Sequence, residues 1–302
     1  MDKKNNKFRN FLDINQLTSE EMSLILKESK RLKEEHYSGM DREVLSGKQV
    51  ALIFEKPSTR TRVSFEVGVN QLGGKSVILT SSDSQLGRGE PIVDTAKVLT
   101  RYVDMIMIRT FKHETLKDMA EFANIPVING LTDFSHPCQV LTDILTIEEK
   151  LGTIQGKTVS WFGDCNNMAN SWMHAAEVLD FKLKLCCPEE LAPSTVGSDN
   201  ISVVFDTEKA ARGADVITTD TWVSMGDTDG EYKNNILRNY KVTKQIMDLA
   251  NDDAIFLHCL PAHRGEEVEE SVIDGPRSVI YDEAENRLHV QKAIMLWCFC
   301  EI

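Results

Sequence analysis

Short apolar runs alternate with amphipathic stretches along this chain, and the alternation is completed twice. In the first pass, strand candidates Val50–Phe54, Val77–Thr80, Met105–Ile108 and Pro126–Ile128 are separated by helix candidates Arg60–Leu72, Pro91–Tyr102 and Glu114–Ala123. A helix over 18–36 precedes them, capped by Thr18 or Ser19, with Met22, Ile25, Leu26 and Leu32 on one face. A longer helix, Val140–Lys150, follows, and Gly152 and Gly156 mark a joint after it. The second pass offers strands Thr158–Phe162, Leu183–Cys187, Val203–Phe205, Val216–Thr219, Ala254–His258 and Val279–Tyr281. Its helices are Met168–Leu179, Glu208–Arg212, Val242–Ala250 and Glu266–Ile273, and a last helix, Ala284–Phe299, closes the chain. Such alternation implies α/β architecture: two doubly wound domains with parallel sheets, covered on both faces. Ligands of such sheets sit at the carboxyl ends of strands. The loops after strands are therefore where chemistry is expected.

Charge narrows the ligand class. Lys and Arg number 34 against 47 Asp and Glu, a formal net charge of −13. A general nucleic-acid binder needs a basic face, so that class is excluded. An anionic ligand must be held by local arginines and helix ends. No apolar run is long enough to span a membrane, and the charged start M-D-K-K-N-N-K does not read as a secretory signal. The seven cysteines form no C-x-x-C pair and the seven histidines no close pair, so reduced thiols, a cytoplasmic setting and no dedicated metal site are expected.

The sharpest local signal is Ser58-Thr59-Arg60-Thr61-Arg62, directly after the first strand and Pro57. A helix start offers N–H groups and a positive dipole end, and the hydroxyls and a forked guanidinium add donors suited to phosphate. The Gly-rich pattern of a P-loop is missing. A plain Ser/Thr helix cap beside two solvated arginines fits the same pattern. This segment resembles the carbamoyl-phosphate signature S-T-R-T-R of the aspartate/ornithine carbamoyltransferase family. The resemblance recurs in order from about residue 8 to 300. Gln85 lies in S-D-S-Q-L-G-R-G-E, Arg109 ends M-I-M-I-R-T, and His136-Pro137-Cys138-Gln139 matches H-P-x-Q. Taken singly, each fits an ordinary loop or ion-pair residue; taken together, at successive strand ends, they suggest one composite site.

The second half bears on the acceptor. Gly163-Asp164-Cys165-Asn166-Asn167 follows a strand and opens a helix but lacks the G-x-G-x-x-G glycines, which rules out a dinucleotide. Asn167 resembles the family's ligand for an amino-acid carboxylate; a helix cap is the plainer reading, and both can hold. Asp220-Thr221-Trp222-Val223-Ser224-Met225-Gly226 resembles the D-x-x-x-S-M-G segment of the family's ornithine-specific members, and His258-Cys259-Leu260-Pro261 their H-C-L-P. A Cys–His hydrolase is disfavoured because neighbours on one strand point to opposite faces. Arg287, in E-N-R-L-H, matches a family arginine near the carbamoyl group, although a surface helix arginine fits as well.

The resemblance implies a carbamoyl-phosphate-binding domain over 1–150 and an ornithine-binding domain over 151–302. The last helix, about 284–300, is expected to pack back on the first domain, with the active site in the cleft between the two. It assigns carbamoyl phosphate to Ser58, Thr59, Arg60, Thr61, Gln85, Arg109, His136, Pro137, Cys138, Gln139, Cys259, Leu260 and Arg287. It assigns L-ornithine to Asn167, Asp220, Ser224 and Met225. Arg109, His136, Cys259 and Asp220 are the expected catalytic residues, with no cofactor and no metal. Cys259 is expected to orient or deprotonate the attacking δ-amine beside Asp220. A homotrimer, or a multiple of it, is implied. A relative acting on putrescine or an N-acylated ornithine, and an anion-sensing protein without turnover, are the alternatives.

Overall fold

The computed structural model describes residues 8–82 and 89–302. These divide into two compact units, one of residues up to Leu141 together with Glu285–Ile302, the other Thr142–Ala284.

In the first unit, strands β1 (Gln49–Phe54), β2 (Lys75–Thr80), β3 (Met105–Arg109) and β4 (Val127–Leu131) form a parallel sheet in the order β2-β1-β3-β4. β1, β3 and β4 are almost wholly buried, so they read as continuous apolar runs; β2, at the edge, is half-exposed. Ala51, Ile53, Ile106, Ile108 and Val127 pack with Leu116 and Met119 of a crossover helix in one apolar cluster. Helix α1 (Ser19–Tyr37) starts on a capping box, in which Thr18 Oγ1 accepts from the Glu21 N–H and the Glu21 carboxylate accepts from the Thr18 N–H. Helices α2 (Thr59–Gln71), α3 (Ile92–Leu99) and α4 (His113–Phe122) connect the strands. Helix α5 (Pro137–Leu151) follows β4, and the division between units falls inside it, ahead of Gly152 and Gly156.

The second unit contains β5 (Thr158–Phe162), β6 (Lys182–Cys186), β7 (Ile201–Val204), β8 (Val216–Thr219) and β9 (Ile255–His258). They form a parallel sheet in the order β7-β6-β5-β8-β9. Phe162, Ile217 and Phe256 of the sheet pack with Val242, Ile246 and Val272. Its helices are α6 (Asn167–Val178), α7 (Thr207–Ala211), α8 (Gly230–Leu237), α9 (Lys244–Leu249) and α10 (Glu270–Ile273). The final helix, α11 (Ile280–Cys298), carries the chain into the 285–302 segment of the first unit.

The two-sheet parallel architecture matches the expectation, with one strand too many in it. Val279–Tyr281 is not a strand: Ser278 makes a single bridge to Phe256, and the chain then turns directly into α11. The expected helix over Glu266–Ile273 begins only at Glu270, because Val268 is drawn into bridges with Val242 and Arg264. Among the described residues, no helix is long and apolar enough to cross a membrane.

Candidate active site

In each sheet the strand order reverses once, and there two neighbouring connections leave in opposite directions and open a crevice. In the first unit this point lies between β1 and β3, in the second between β5 and β8. The segments at 58–62 and 163–167, Arg109 and the segment at 220–226 lie at the ends of these four strands, while His136–Gln139 follows β4 and Cys259–Pro261 follows β9.

At the first point, Phe54 of β1 is in register with Arg109 of β3, and the Glu55 N–H donates to the Arg109 carbonyl at 2.9 Å. Two residues after Lys56, Ser58 takes up extended backbone and caps α2, its Oγ accepting from the Thr61 N–H at 3.2 Å. Thr59, Arg60 and Thr61 are thus the first turn of α2, with Arg60 half-buried. Thr61 is buried, and its hydroxyl oxygen accepts from Arg287 Nη2 at 2.9 Å and lies 3.4 Å from Arg109 Nη1. Arg287 Nη1 donates to Gln139 Oε1. The guanidinium of Arg287 therefore ties the start of α2 to the start of α5. It is 4% exposed, which removes the surface-arginine reading. The approach is possible because Gly68 of α2 faces α11: a Cβ there would stand 3.3 Å from Lys292.

His136, immediately before α5, is buried. Burial, then the positive charges of Arg287 and Arg109, hold its pKa well below the usual imidazole value. It is a neutral hydrogen-bonding group near pH 7. Pro137 begins α5 without needing an N–H partner. The Cys138 thiol donates to the Asn129 carbonyl at 3.3 Å, and burial pushes its pKa up to about 12, so it is an inert packing group. Gln85 lies outside the described residues.

The sequence reading passed over Lys56. It is buried at the end of β1, pairs with Asp133 and stands 4.5 Å from the Phe111 ring centroid. Its place between a strand end and the Pro57-Ser58 cap was the available signal.

At the second point, Phe162 and Thr219 are in register, and the Thr219 hydroxyl donates to the Phe162 carbonyl at 2.6 Å. Gly163 then turns with φ 121°, a conformation that strains residues with a Cβ. The cap of α6 is Asn166, not Asn167: its Oδ1 accepts from the Met168 N–H at 2.9 Å. Asn167 is the first helical residue and is half-buried. Asn166 also lies 3.4 Å from Asp220 Oδ2 through its Nδ2.

Asp220 ends β8. Its Oδ1 accepts from the Thr221 N–H at 2.8 Å and from the Cys259 thiol at 3.2 Å. Burial, followed by the negative charges of Asp220, Glu283 and Asp143, raises the Cys259 pKa well above the ordinary thiol value. Cys259 is therefore held as a thiol that donates to Asp220. A ring nitrogen of His258 lies within 4.8 Å of the Cys259 sulfur, but both nitrogens of that ring have other partners. Its Nδ1 accepts from the Leu260 N–H at 2.9 Å, which leaves Nε2 to donate to Glu267 Oε1 at 3.2 Å. Leu260 has φ 57°, a left-handed conformation rarely held by a branched side chain, and precedes a cis proline, Pro261.

Ser224 and the exposed Met225 lie in the loop after β8. The Ser224 N–H donates to Asp227 Oδ2 at 2.9 Å. Lys233 of α8 bonds the same Asp227 oxygen at 2.6 Å and Asp164 Oδ2 at 2.9 Å. Burial works against the Lys233 ammonium, yet its bonds to Asp227 and Asp164 outweigh it and raise its pKa. This clamp, which links the Ser224 loop to the loop after β5, had no sequence signal, since no helix was expected where α8 lies.

The family model described as the aspartate/ornithine carbamoyltransferase carbamoyl-P binding domain matches residues 9–149, and the one described as the Asp/Orn binding domain matches 155–298. The chain belongs to the aspartate/ornithine carbamoyltransferase family. It is 54% identical over 303 residues to the ornithine carbamoyltransferase of Rhodopseudomonas palustris strain BisA53, covering 96% of this chain and 97% of that one. The Nitrobacter winogradskyi enzyme of the same name is 54% identical over 298 residues, with the same coverage. Among solved structures, ornithine carbamoyltransferase from Pyrococcus furiosus superposes with a TM-score of 0.93 at 46% identity, covering 97% of this chain and 98% of that one. In this carbamoyltransferase chain the Arg109–Thr61–Arg287–Gln139 network lies within the carbamoyl-phosphate match, apart from Arg287, which the last helix supplies from within the second match. The Asp220–Cys259 pair lies within the Asp/Orn match.

Proposed function

We propose that this chain is an ornithine carbamoyltransferase. It transfers the carbamoyl group of carbamoyl phosphate to the δ-amine of L-ornithine, giving L-citrulline and phosphate in arginine metabolism. The observation that carries the reading is the pair of unlike donor sets at the two points of strand reversal. One joins two guanidiniums, the Thr61 hydroxyl and the Gln139 amide, with the His136 imidazole within the field of both arginines, which suits an anionic acyl phosphate. The other presents an anion, Asp220, with a thiol bonded to it, which suits an acceptor bearing an ammonium group.

In this mechanism the first turn of α2, with Ser58, Thr59 and Arg60, holds the phosphate, and its dipole favours the charge that builds up as phosphate leaves. Gln85 is a further ligand of the same substrate. Arg109, Thr61 and neutral His136 donate to the carbamoyl oxygen, which becomes an oxyanion when the amine adds. Gln139 bonds the carbamoyl amide and is itself oriented by Arg287. Pro137 and Cys138 fix the backbone beside it, and the Leu260 backbone and Cys259 complete the carbamoyl environment. Asn167 takes the ornithine carboxylate and Asp220 its α-ammonium, with Ser224 and Met225 in a loop that closes on the substrate. The attacking nitrogen forms a bond to the carbonyl carbon, loses a proton and expels phosphate. Because Cys259 keeps its own proton, that proton goes to Asp220, to phosphate or to water. Orientation and fixed donors supply the rate enhancement, without a covalent enzyme intermediate or cofactor. Residues 1–150 form the carbamoyl-phosphate domain and 151–302 the ornithine domain, with 284–300 belonging to the first. The assembly is a homotrimer or a multiple of it, in the cytoplasm.

A colorimetric carbamoyl-transfer assay with ornithine, aspartate, putrescine and N-acetylornithine tests this reading. Ornithine must give the highest kcat/KM. Faster turnover of another amine would reassign the acceptor, and no product with any amine would leave only an anion-binding protein.

A further inference from the structure

The loop between Pro261 and α10 carries a buried carboxylate that is only half satisfied. Glu267 is fully buried. Its Oε1 accepts from His258 Nε2 at 3.2 Å and from the His263 N–H at 2.5 Å. Its Oε2 is equally buried and accepts a hydrogen bond from no described residue. Leaving a buried carboxylate oxygen bare is costly, and such an atom calls for a partner from outside the protein.

The surroundings of that oxygen specify the partner. His263 Nδ1 lies 3.9 Å from Glu267 Oε2 and 4.0 Å from Glu266 Oε2. All three ligand atoms fall within 4.8 Å of one another. These gaps are too long for hydrogen bonds. They are close to what one ion imposes: bonds of about 2.1 Å in a tetrahedron separate ligand atoms by about 3.4 Å. His263 and Glu266 are about half-exposed, so small rotations of their side chains can close the difference. The turn beneath them is set by the Glu266 N–H donating to the His263 carbonyl at 2.9 Å and the Gly265 N–H to the Val268 carbonyl at 2.8 Å. Two carboxylates at adjacent positions also repel one another unless a cation lies between them.

We propose that His263 Nδ1, Glu266 Oε2 and Glu267 Oε2 bind one divalent cation of the zinc or manganese class, with water completing its shell. One imidazole nitrogen with two carboxylate oxygens fits those ions better than magnesium, which prefers an all-oxygen octahedron. Exposed His263 and Glu266 form the entry side and buried Glu267 the floor. The cation is thereby linked through Glu267 to His258, whose neighbour Cys259 bonds Asp220. Its place is structural, a tether on the loop that carries Cys259 and Leu260.

A second donor group, Asp220, His258 and Cys259, also lies within ligand range of itself, so the two must be separated. Calorimetric titration of the full chain with zinc chloride and with manganese chloride, in an Asp220→Asn, Cys259→Ala background, does so. One equivalent per chain should bind. Adding His263→Ala or Glu266→Gln should weaken it by at least about tenfold, the smallest effect that even outer-shell partners of metal sites produce. Both substitutions are at exposed positions and leave the buried Glu267 bonds in place. In the otherwise intact chain the same two changes should remove one bound equivalent, so the test does not depend on the background variant folding. Zinc and manganese titrations unchanged by either substitution, or no binding of either ion up to millimolar concentration in the background variant, would overturn the proposal and leave Glu267 Oε2 to an ordered water only.

Discussion

Replacing Arg287 by Met keeps a long, unbranched side chain in a buried slot while removing the guanidinium that joins Thr61 to Gln139. Two charge-assisted bonds are lost, each worth about 1.5–3 kcal/mol. Thr61 keeps the Ser58 hydroxyl at 3.0 Å and Arg109 at 3.4 Å, and Gln139, which is completely buried, loses the bond from Arg287 Nη1 to its amide oxygen. The effect on turnover should therefore run through Gln139 and the carbamoyl group. A loss of about 3 kcal/mol in transition-state binding corresponds to about 10²-fold in kcat/KM for carbamoyl phosphate. A second consequence follows from charge. Burial is the larger cause of the depressed His136 pKa and Arg287 the next, so the pKa should rise without reaching the free value. The acid limb of the kcat/KM profile should accordingly move to higher pH, which mere loosening of the fold would not produce. Citrulline formation across pH 5–8, beside urea unfolding of the same variant, measures both. The Gln139→Leu single and the double variant complete a cycle, and a coupling of at least about 0.5 kcal/mol is expected. A folded Arg287→Met enzyme within twofold of wild type, or a cycle that closes to zero, would refute this reasoning.

Arg60→Gly removes a charged donor from the first turn of α2 and should lower kcat/KM for carbamoyl phosphate by about 10- to 10³-fold, read by steady-state kinetics. Asp220→Asn should collapse ornithine turnover while calorimetry still registers carbamoyl phosphate; equal loss of both would make Asp220 structural. The δ-amine has a lysine-like pKa near about 10.4, so ornithine kcat/KM should climb from pH 6.5 to 9. The Cys259 thiol stays protonated through that range, so Cys259→Ala should lower ornithine kcat/KM without flattening the climb. His289 is held at about 4, first by burial and then by Lys292, against 6.5 when free. The unfolded chain takes up this proton first, so stability present above pH 6.5 declines as pH falls toward 4. The loss is at most about 3 kcal/mol for this group and is measurable by urea unfolding, with His289→Gln flattening that limb.

Periodicity made most of the framework legible, because strands buried on both faces leave unmistakable apolar runs, as in Leu52-Ile53-Phe54 or Met105-Ile106-Met107. It misread Val279-Ile280-Tyr281, an equally apolar triplet, because three residues cannot separate a strand from the first turn of a buried helix. It missed α8, whose Gly230 start and polar sequence give little amphipathic signal. Motif spacing located both strand-reversal points but could not say which of two neighbouring asparagines caps α6, since both are good caps and only backbone geometry separates Asn166 from Asn167. Arg287 looked like a surface residue because its helix is amphipathic in no simple way. Its burial depends on partners 148 and 226 positions away. The thiol state of Cys259 was equally hidden, being set by Asp220, Glu283 and Asp143 from distant parts of the chain.

The unit that carries Thr61 and Gln139 is discontinuous, running to Leu141 and resuming at Glu285, while the other is one uninterrupted stretch, Thr142–Ala284. During synthesis, at about 5–20 residues per second, the order of completion is therefore inverted. The later-made stretch has all its own contacts available once Ala284 has emerged. The earlier-made one must wait, because the Arg9 N–H pairs with the carbonyl of Cys298 and Asp41 with Lys292. A nascent chain already displaying Ser58-Thr59-Arg60-Thr61-Arg62 thus lacks the arginine that orients Gln139 until the stretch after Ala284 has emerged. The bond between Arg287 and Gln139 is therefore made only after the stretch of the other unit is complete.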